Sequence, residues 1–503
     1  METTNLKNIL NLMKSSLKED ISLVSRAFIF AQEKHLGQKR FSEEPYFNHP
    51  YQTAITLADL GMGATTIASS LLHDCLEEAG VEEKEIEKEF GEEILFLVKG
   101  VTKLGKLKYR GIERHNESLR KLFVAVSRDI RVIIIKLADR LHNMQTLEFV
   151  PEHKQLRIAD ETLEIYVPIA YRLGIRKLSR QLEDLSFKYV LPKEYKKTKE
   201  ILKEKKKEDL HKLEKFQKSI KKTLAKNGIT QIKTDYRIKT LYSLYKKLLR
   251  KEWNIDKIYD ISALRIILSD TSECYKALGI IHGVYRPLPK RMKDYIAFPK
   301  PNNYKSLHTT IFTGYGNIVE IQIKTKEMHQ EAEYGIASHF LYKEKIKKSK
   351  LSSNLVWIRK LLPFKNTFDS KNKKEINFED VPSWIKDLVE YQSSKNLETF
   401  SEELKMDFFQ QRIFIFTPKG DVIDLPINSS PIDFAYAIHS DIGDHISGVK
   451  INGKMSSIET VLQNGDIVEI LTRKESSPSR KWLKYAKTAA ARKNIKSTIQ
   501  EKQ

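Results

Sequence analysis

Apolar residues recur at helical spacing almost without interruption through the first 190 positions, and this pattern gives way to short β-like runs after Gly228. Few turn residues interrupt ISLVSRAFIFAQEKHL, ATTIASSLLHDCLEEAG and IRVIIIKLADRLHNMQTL, which predicts an all-helical region. A lysine-rich stretch over about 196–226 places Leu213, Phe216, Ile220 and Leu224 on one stripe, predicting a helix with a single packed face. The runs ALRIIL (263–268), HTTIFT (308–313) and IVEIQIKT (318–325) then predict a mixed α/β domain to about residue 342. With 503 residues, the chain exceeds the roughly 250–300 residues at which one core stops growing.

Residues 343–406 are polar and predicted to form a helical linker. QRIFIFTPKGDVIDLP reads as strand, Lys-Gly turn and strand, and DFAYAIHSDIG as a helix. Short strands around Asn452-Gly453 and Asn464-Gly465 complete a compact β-grasp pattern over 407–472, after which 473–503 begins a basic helical region. The expected partition is therefore 1–195, 196–342, 343–406, 407–472 and 473–503. No run approaches the roughly 20 apolar residues of a membrane span, and no secretion signal is visible. Cys75 and Cys274 cannot build a disulfide framework, so a cytoplasmic location is expected. The net charge of +22 reads either as a solvated lysine excess or as a surface facing RNA or the ribosome.

Two groups of residues carry chemistry. The adjacent pair His73-Asp74, read as lying on an apolar helix, joins His49 upstream and Asp139 in the helix IIIKLADRLHNM. Two imidazoles and two carboxylates suit manganese, iron or zinc, and such an ion lowers the pKa of bound water and polarises a phosphoryl oxygen. Glu77 and Glu78 lie one turn on and could orient or deprotonate that water. Asn143 and Thr146 extend the Asp139 face, and Arg40 could neutralise phosphate charge. The bland alternatives are an Asp139-Arg140 ion pair and a solvated helix end at Glu77-Glu78. The buried character of VIIIKLA weighs against them.

The second group begins with DYRIKTLYSLYKKLL, where Lys239, Ser243 and Lys247 follow at i+4 with Arg237 at the entrance. Read as one helix face, they could cradle a triphosphate. No Walker-type sequence exists. Asp260 precedes one strand, and Glu320 shares a strand face with Gln322 and Lys324, so the two carboxylates could hold Mg²⁺. The intervening loop offers Arg291, Lys293, Lys300, Asn302, Tyr304 and His308, with Tyr304 able to stack on a purine.

HLGQKRFSEEPYFNHP, LLHDCLEE and IRVIIIKLADRLHNMQTL resemble the HD-type hydrolase domain of the bifunctional RelA/SpoT homologue family. YRIKTLYSLYKK, YDISALRIIL, GIIHGVYRPLPKRMKDYIAFPKPNNYKSLHTT and EIQIKTKEMHQEAEYGIASH resemble its synthetase domain along nearly its whole length. The resemblance implies an all-α HD-type hydrolase domain, a mixed α/β nucleotidyltransferase-like synthetase domain and a small β-grasp TGS domain. It implies transfer of pyrophosphate from ATP to the 3′-hydroxyl of GDP or GTP, and hydrolysis of the 3′-pyrophosphate of (p)ppGpp. It puts Mn²⁺ on His49, His73, Asp74 and Asp139, with Glu77 and Glu78 catalytic and Arg40, Asn143 and Thr146 against the nucleotide. Arg237, Lys239, Ser243, Lys247 and Arg265 would serve ATP. Asp260 and Glu320 would hold Mg²⁺, with Glu320 also the base for the 3′-hydroxyl. Lys300, Tyr304, His308 and Gln322 would serve the guanine nucleotide.

Departures from the family pattern are Glu78 for aspartate, Glu43 and Lys290 for glycines, and Ile446 for a cysteine. Arg291-Met292-Lys293-Asp294 matches the basic form typical of bifunctional members. His439 matches the histidine of the TGS domain, which implies deacylated tRNA and the ribosome as partners. Zinc-finger and ACT-type domains usual at the far end are not seen before Gln503. Two rivals stand beside the bifunctional enzyme: a tRNA- or ribosome-binding protein with residual sites, and an enzyme silenced at one site by Glu43 or Lys290.

Overall fold

The computed structural model describes residues 4–13, 17–105, 129–258, 261–289, 291–299, 304–313, 318–335, 412–463 and 465–501. Asp260, Lys290, Lys300, Asn302 and the linker 343–406 lie outside the described residues. The described residues divide into two compact units, one up to Gly335 and one from Arg412 onward.

The first unit opens with helices α1 (Leu6–Leu12), α2 (Lys18–Lys34), α3 (Asn48–Asp59), α4 (Ala64–Leu71), α5 (Glu83–Phe90) and α6 (Glu92–Gly105). They are followed by α7 (Ile130–Gln145), α8 (Glu152–Glu161), α9 (Val167–Arg172) and α10 (Arg176–Val190). Helix α7 buries Ile130, Val132, Ile133, Ile134, Ile135, Leu137 and Leu141, so apolar residues surround it on most sides and it forms the centre of the bundle. Asp129 starts it by accepting the Arg131 amide hydrogen. Asp139 and His142 are buried on the same helix. Polar groups in that setting need partners.

Helix α11 (Pro192–Lys226) carries the predicted stripe: Leu213, Phe216, Ile220 and Leu224 pack with Leu264, Ile266, Ile321 and Ile323 in one core. Burying such side chains contributes roughly 1.5–3 kcal/mol each. The sheet consists of β1 (Lys233–Ile238), β2 (Ser262–Leu268), β3 (Lys293–Asp294), β4 (Leu307–Phe312) and β5 (Ile318–Thr325), in the order β1-β2-β5-β4-β3. Strands β2 and β5 run parallel and the other pairs antiparallel. Strand alternation sends Ile321 and Ile323 to the core while Glu320, Gln322 and Lys324 share the other face. Helices α12 (Leu241–Arg250), α13 (Thr271–Val284) and α14 (Lys326–Tyr334) complete the domain.

Two local expectations need correction. Helix α4 ends at Leu71, so His73 and Asp74 lie in the turn beyond it. The His73 ring takes the Ser70 carbonyl that a continuing helix would give to the Asp74 amide. Lys239 likewise precedes its helix, because its amide donates to the Ile261 carbonyl and prolongs the β1–β2 pairing. It therefore shares no helix face with Ser243 and Lys247.

The second unit pairs β6 (Arg412–Phe416) with β7 (Val422–Pro426), and orders β8 (Ile446–Ile451), β9 (Lys454–Ser456) and β10 (Val468–Thr472) as β10-β8-β9. The Asn452-Gly453 turn has φ of 52° and 79°, the left-handed pair that a tight hairpin requires. Helix α15 (Pro431–Ile438) begins in a capping box of Ser430 and Asp433. After α16 (Ser440–Asp444), the basic C-terminal segment does not stand apart. Trp482, Ala486 and residues Ala491 and Ile495 of α17 (Ala489–Glu501) share a core with Ile432, Ala435, Tyr436 and Ile446.

Candidate active sites

The first site forms where α3, the turn after α4, and α7 meet. His49 and His73 are each 2% exposed and Asp139 is 3% exposed. Ligand atoms of His49, His73 and Asp74 all lie within 4.8 Å of one another. Asp139 joins them through His49, whose Nε2 is 3.2 Å from Asp139 Oδ1 and 3.6 Å from Asp74 Oδ2.

Hydrogen-bond partners fix which ring nitrogen of each histidine can bind an ion. His73 Nδ1 lies 2.7 Å from the Ser70 carbonyl, which only accepts, so Nδ1 carries the hydrogen. The buried Nε2 then presents a lone pair, has no hydrogen-bond partner, and stands 3.2 Å from Asp74 Oδ1. Two lone pairs at that distance repel unless a cation sits against both.

The His49 tautomer is set by His142. Arg40 donates to His142 Nδ1 at 3.0 Å, and His49 Nδ1 faces the same atom at 2.9 Å. Arginine cannot accept, so His142 Nδ1 is the acceptor shared by both, and His49 Nδ1 holds a hydrogen. His49 Nε2 is left to offer a lone pair beside the two carboxylates. Burial pushes His49 below its ordinary value, and burial with Arg40 beside it pushes His142 down to about 3.

Asp139 is held from both sides. Lys136 Nζ lies 2.6 Å from its Oδ2, and Asn143 donates to its Oδ1 at 2.5 Å. Burial opposes ionisation of this carboxyl, but Lys136 beside it holds it well below the usual range. Tyr46 donates to Asp74 Oδ2 at 2.9 Å. Such outer partners orient metal ligands and tune their basicity. The N/O donor set, one orphaned lone pair and two ionised carboxylates fit a divalent cation on His49, His73, Asp74 and Asp139.

Arg40, Asn143 and Thr146 come together at the rim as a group. Arg40 donates to Asn143 Oδ1 at 2.6 Å and reaches Thr146 Oγ1 at 3.4 Å. Glu77 and Glu78 are exposed on the turn after the ligands. Partial burial, Asp74 and Glu77 push the Glu78 carboxyl up. His142, Lys136 and Tyr46 also belong to this site, and no motif in the sequence marks them. The only trace of the first two is their i+3 and i−3 spacing from Asp139.

The second site is a cavity of about 440 Å³ over the polar face of the five-stranded sheet. Arg237, Lys239, Lys247, Tyr304, His308, Glu320 and Gln322 line it, bringing together seven of the expected residues. Further cations on its wall, among them Arg176, Arg250 and Arg291, give it a strongly positive lining suited to an anion. Ser243 instead accepts from Thr240 Oγ1 at 3.0 Å. Arg265 lies outside the lining, ion-paired at 3.3 Å with both Asp235 and Glu333.

The start of helix α12 is tied to the helical domain. Asp184 of α10 accepts the Leu241 and Tyr242 amide hydrogens at 3.2 and 3.0 Å, satisfying donors that the start of a helix leaves open. Within the cavity His308 Nδ1 donates to Glu320 Oε1 at 2.8 Å, so its Nε2 accepts the Tyr304 hydroxyl hydrogen, also at 2.8 Å. This chain fixes the His308 tautomer and orients Glu320. Lys324, buried on the same face, is pushed down to about 7 by burial and by Arg265.

Family models match three segments: an HD domain over 27–176, a region found in RelA/SpoT proteins over 236–347, and a TGS domain over 413–472. The chain is 42% identical over 501 residues to the guanosine-3′,5′-bis(diphosphate) 3′-pyrophosphohydrolase of Aquifex aeolicus, covering 99% of this chain and 68% of that protein. It is 43% identical over 479 residues to the protein of that name from Borreliella burgdorferi, covering 95% and 68%. It is also 42% identical over 489 residues to the GTP pyrophosphokinase of Myxococcus xanthus, covering 96% and 61%.

Proposed function

The chain belongs to the RelA/SpoT family of (p)ppGpp synthetase/hydrolases, and we propose that it carries out both reactions in two separate sites of one compact unit. In one, ATP gives its β,γ-pyrophosphate to the 3′-hydroxyl of GDP or GTP, leaving AMP. In the other, water cleaves the 3′-pyrophosphate of ppGpp or pppGpp, returning GDP or GTP and pyrophosphate. The observation that carries this function is the coexistence of a buried His/Asp cluster containing an orphaned imidazole lone pair with a distinct cationic cavity.

At the hydrolase site, His49, His73, Asp74 and Asp139 would hold a divalent cation, with Mn²⁺ the ion proposed. Bound there, the ion supplies an acidified water and polarises a phosphoryl oxygen. Glu77 and Glu78 stand at the rim to receive a proton from the attacking water; the raised Glu78 carboxyl suits that role better. Arg40, with Asn143 and Thr146, orients the nucleotide.

At the synthetase site, Arg237, Lys239 and Lys247 neutralise the triphosphate of ATP, and Glu320 with Asp260 would hold Mg²⁺. Arg265 and Ser243 support the same nucleotide from behind the cavity wall. Tyr304 stacks on guanine, while Lys300, His308 and Gln322 hold the rest of the guanine nucleotide. Glu320 takes the proton of the 3′-hydroxyl as its oxygen bonds to the β-phosphorus of ATP and the bond to the α-phosphate oxygen breaks. Positioning and charge neutralisation supply most of such a reaction.

The β-grasp unit and its packed basic helix are proposed to meet deacylated tRNA on the ribosome, in a cytoplasmic setting. No helix of the described residues is long and apolar enough to cross a membrane. Incubation with Mn²⁺ and ppGpp should release pyrophosphate; incubation with Mg²⁺, ATP and GDP should release AMP and ppGpp. Failure of either reaction in folded, metal-loaded protein overturns that half.

A further inference from the structure

Tyr304 is only 3% exposed. Arg176 covers its ring, with the guanidinium carbon 4.4 Å from the ring centroid. Arg176 comes from the helical domain, as the first residue of α10. The tight turn before it places Gly174 at φ +73°, a conformation that favours glycine, and the Arg176 amide donates to the Gly174 carbonyl. Its guanidinium also lies 5.8 Å from the Tyr171 ring. Among the described residues no carboxylate forms an ion pair with it, yet it lines the cavity beside Arg237, Tyr295 and Gln322.

We propose that Arg176 is a purine-binding residue of the synthetase site, with the guanine base entering between its guanidinium and the Tyr304 ring so that both faces of the base are held. This assignment rests on Tyr304 being the guanine-stacking residue. At 4.4 Å there is no room for a third plane between guanidinium and ring, so one of the two must move. Tyr304 is anchored by its hydroxyl to His308 and by an edge contact with Tyr295. The arginine, on a flexible stem and held by ring contacts, is the partner that swings outward. A guanidinium is planar, weakly hydrated and stacks on aromatic faces, so it can exchange the Tyr304 face for the outer face of the base. The charge is retained at the mouth of the cavity, where it also attracts the diphosphate. The helical domain thereby contributes directly to substrate binding in the neighbouring domain.

The test is steady-state synthesis by the full chain with Arg176→Ala, Arg176→Lys and Tyr304→Ala, varying GDP and ATP separately, together with equilibrium binding of GDP. Arg176→Ala should raise the KM and Kd for GDP about three- to thirty-fold, with the KM for ATP and kcat changing much less. Arg176→Lys should restore part of the loss, since an ammonium keeps the charge without the stacking plane. Unchanged GDP affinity in Arg176→Ala overturns the proposal, as does tighter GDP binding, which would make the arginine a mere cover. If Tyr304→Ala also leaves GDP affinity unchanged, the stacking assignment itself fails. If Tyr304→Ala weakens GDP while Arg176→Ala does not, only the role of Arg176 fails.

Discussion

His49 and His142 face one another through their Nδ1 atoms at 2.9 Å inside the helical domain. The contact, together with Arg40, leaves His49 with its Nε2 lone pair directed at Asp74 and Asp139. Replacing His142 with phenylalanine removes the acceptor that fixes this tautomer while keeping a ring in the space. Outer partners of metal-ligating histidines typically matter by 10–100-fold. His142→Phe is therefore expected to weaken Mn²⁺ binding by about that factor. Metal titration followed by ppGpp hydrolysis checks this; hydrolysis that saturates at the wild-type Mn²⁺ concentration would show that His142 does not orient the site.

Asp184 caps the helix that carries Lys247. With Asp184→Ala the Leu241 and Tyr242 amides lose their acceptor. A lost cap costs about 0.5–2 kcal/mol. The KM for ATP in the synthetase reaction should rise, with ppGpp hydrolysis little changed. Denaturant melts and the two assays measure the effect, and an unaltered KM for ATP would separate the cap from the site.

Lys324 gives a pH signature. Its folded-state value of about 7 lies below the unfolded 10.5, so between these values the unfolded chain binds a proton that the folded chain does not. Its contribution to stability therefore rises with pH across that window, by at most about 1.4 kcal/mol per unit. Urea denaturation at pH 7 and pH 9 should show this rise in wild type relative to Lys324→Met. Identical pH slopes in the two proteins would contradict it.

Asp433 ties the C-terminal segment to the β-grasp unit. Its Oδ2 accepts from the Ser430 amide and its Oδ1 from the Lys487 and Thr488 amides, all at 2.7–2.9 Å. Asp433→Ala leaves these donors without an acceptor, at a cost of about 1–3 kcal/mol for each of the buried Ser430 and Thr488 amides when unrelieved. Limited proteolysis should then cleave near residues 486–490 faster than in wild type. Equal cleavage rates would argue that apolar packing of Trp482 and Ile495 suffices.

Much of this arrangement was legible in the sequence, because side-chain period and residue type are local properties. The α11 stripe, the β2, β4 and β5 runs and the shared face of Asn143 and Thr146 follow from spacing alone, whereas Arg40, about a hundred residues upstream, joins them only in the fold. Ring orientation does not follow from spacing either. His142 and Lys136 share a helix with Asp139, but only the folded bundle shows that one faces His49 and the other Asp139. Helix α4 ended early because a side chain, His73, took a backbone carbonyl, a competition no periodicity reveals. Arg176 and Tyr304 lie in different domains, and Trp482 and Ile495 have too little apolar company in sequence to announce a shared core.

Whether two independent sites operate is tested most directly by one paired experiment. Wild type, His73→Ala and Glu320→Gln are each incubated with Mn²⁺ plus ppGpp and with Mg²⁺ plus ATP and GDP, and all nucleotides are resolved by chromatography. His73→Ala should lose hydrolysis and still form ppGpp and AMP, whereas Glu320→Gln should lose synthesis and still release pyrophosphate from ppGpp. Loss of both reactions in either folded variant, or of neither, would contradict the two-site account.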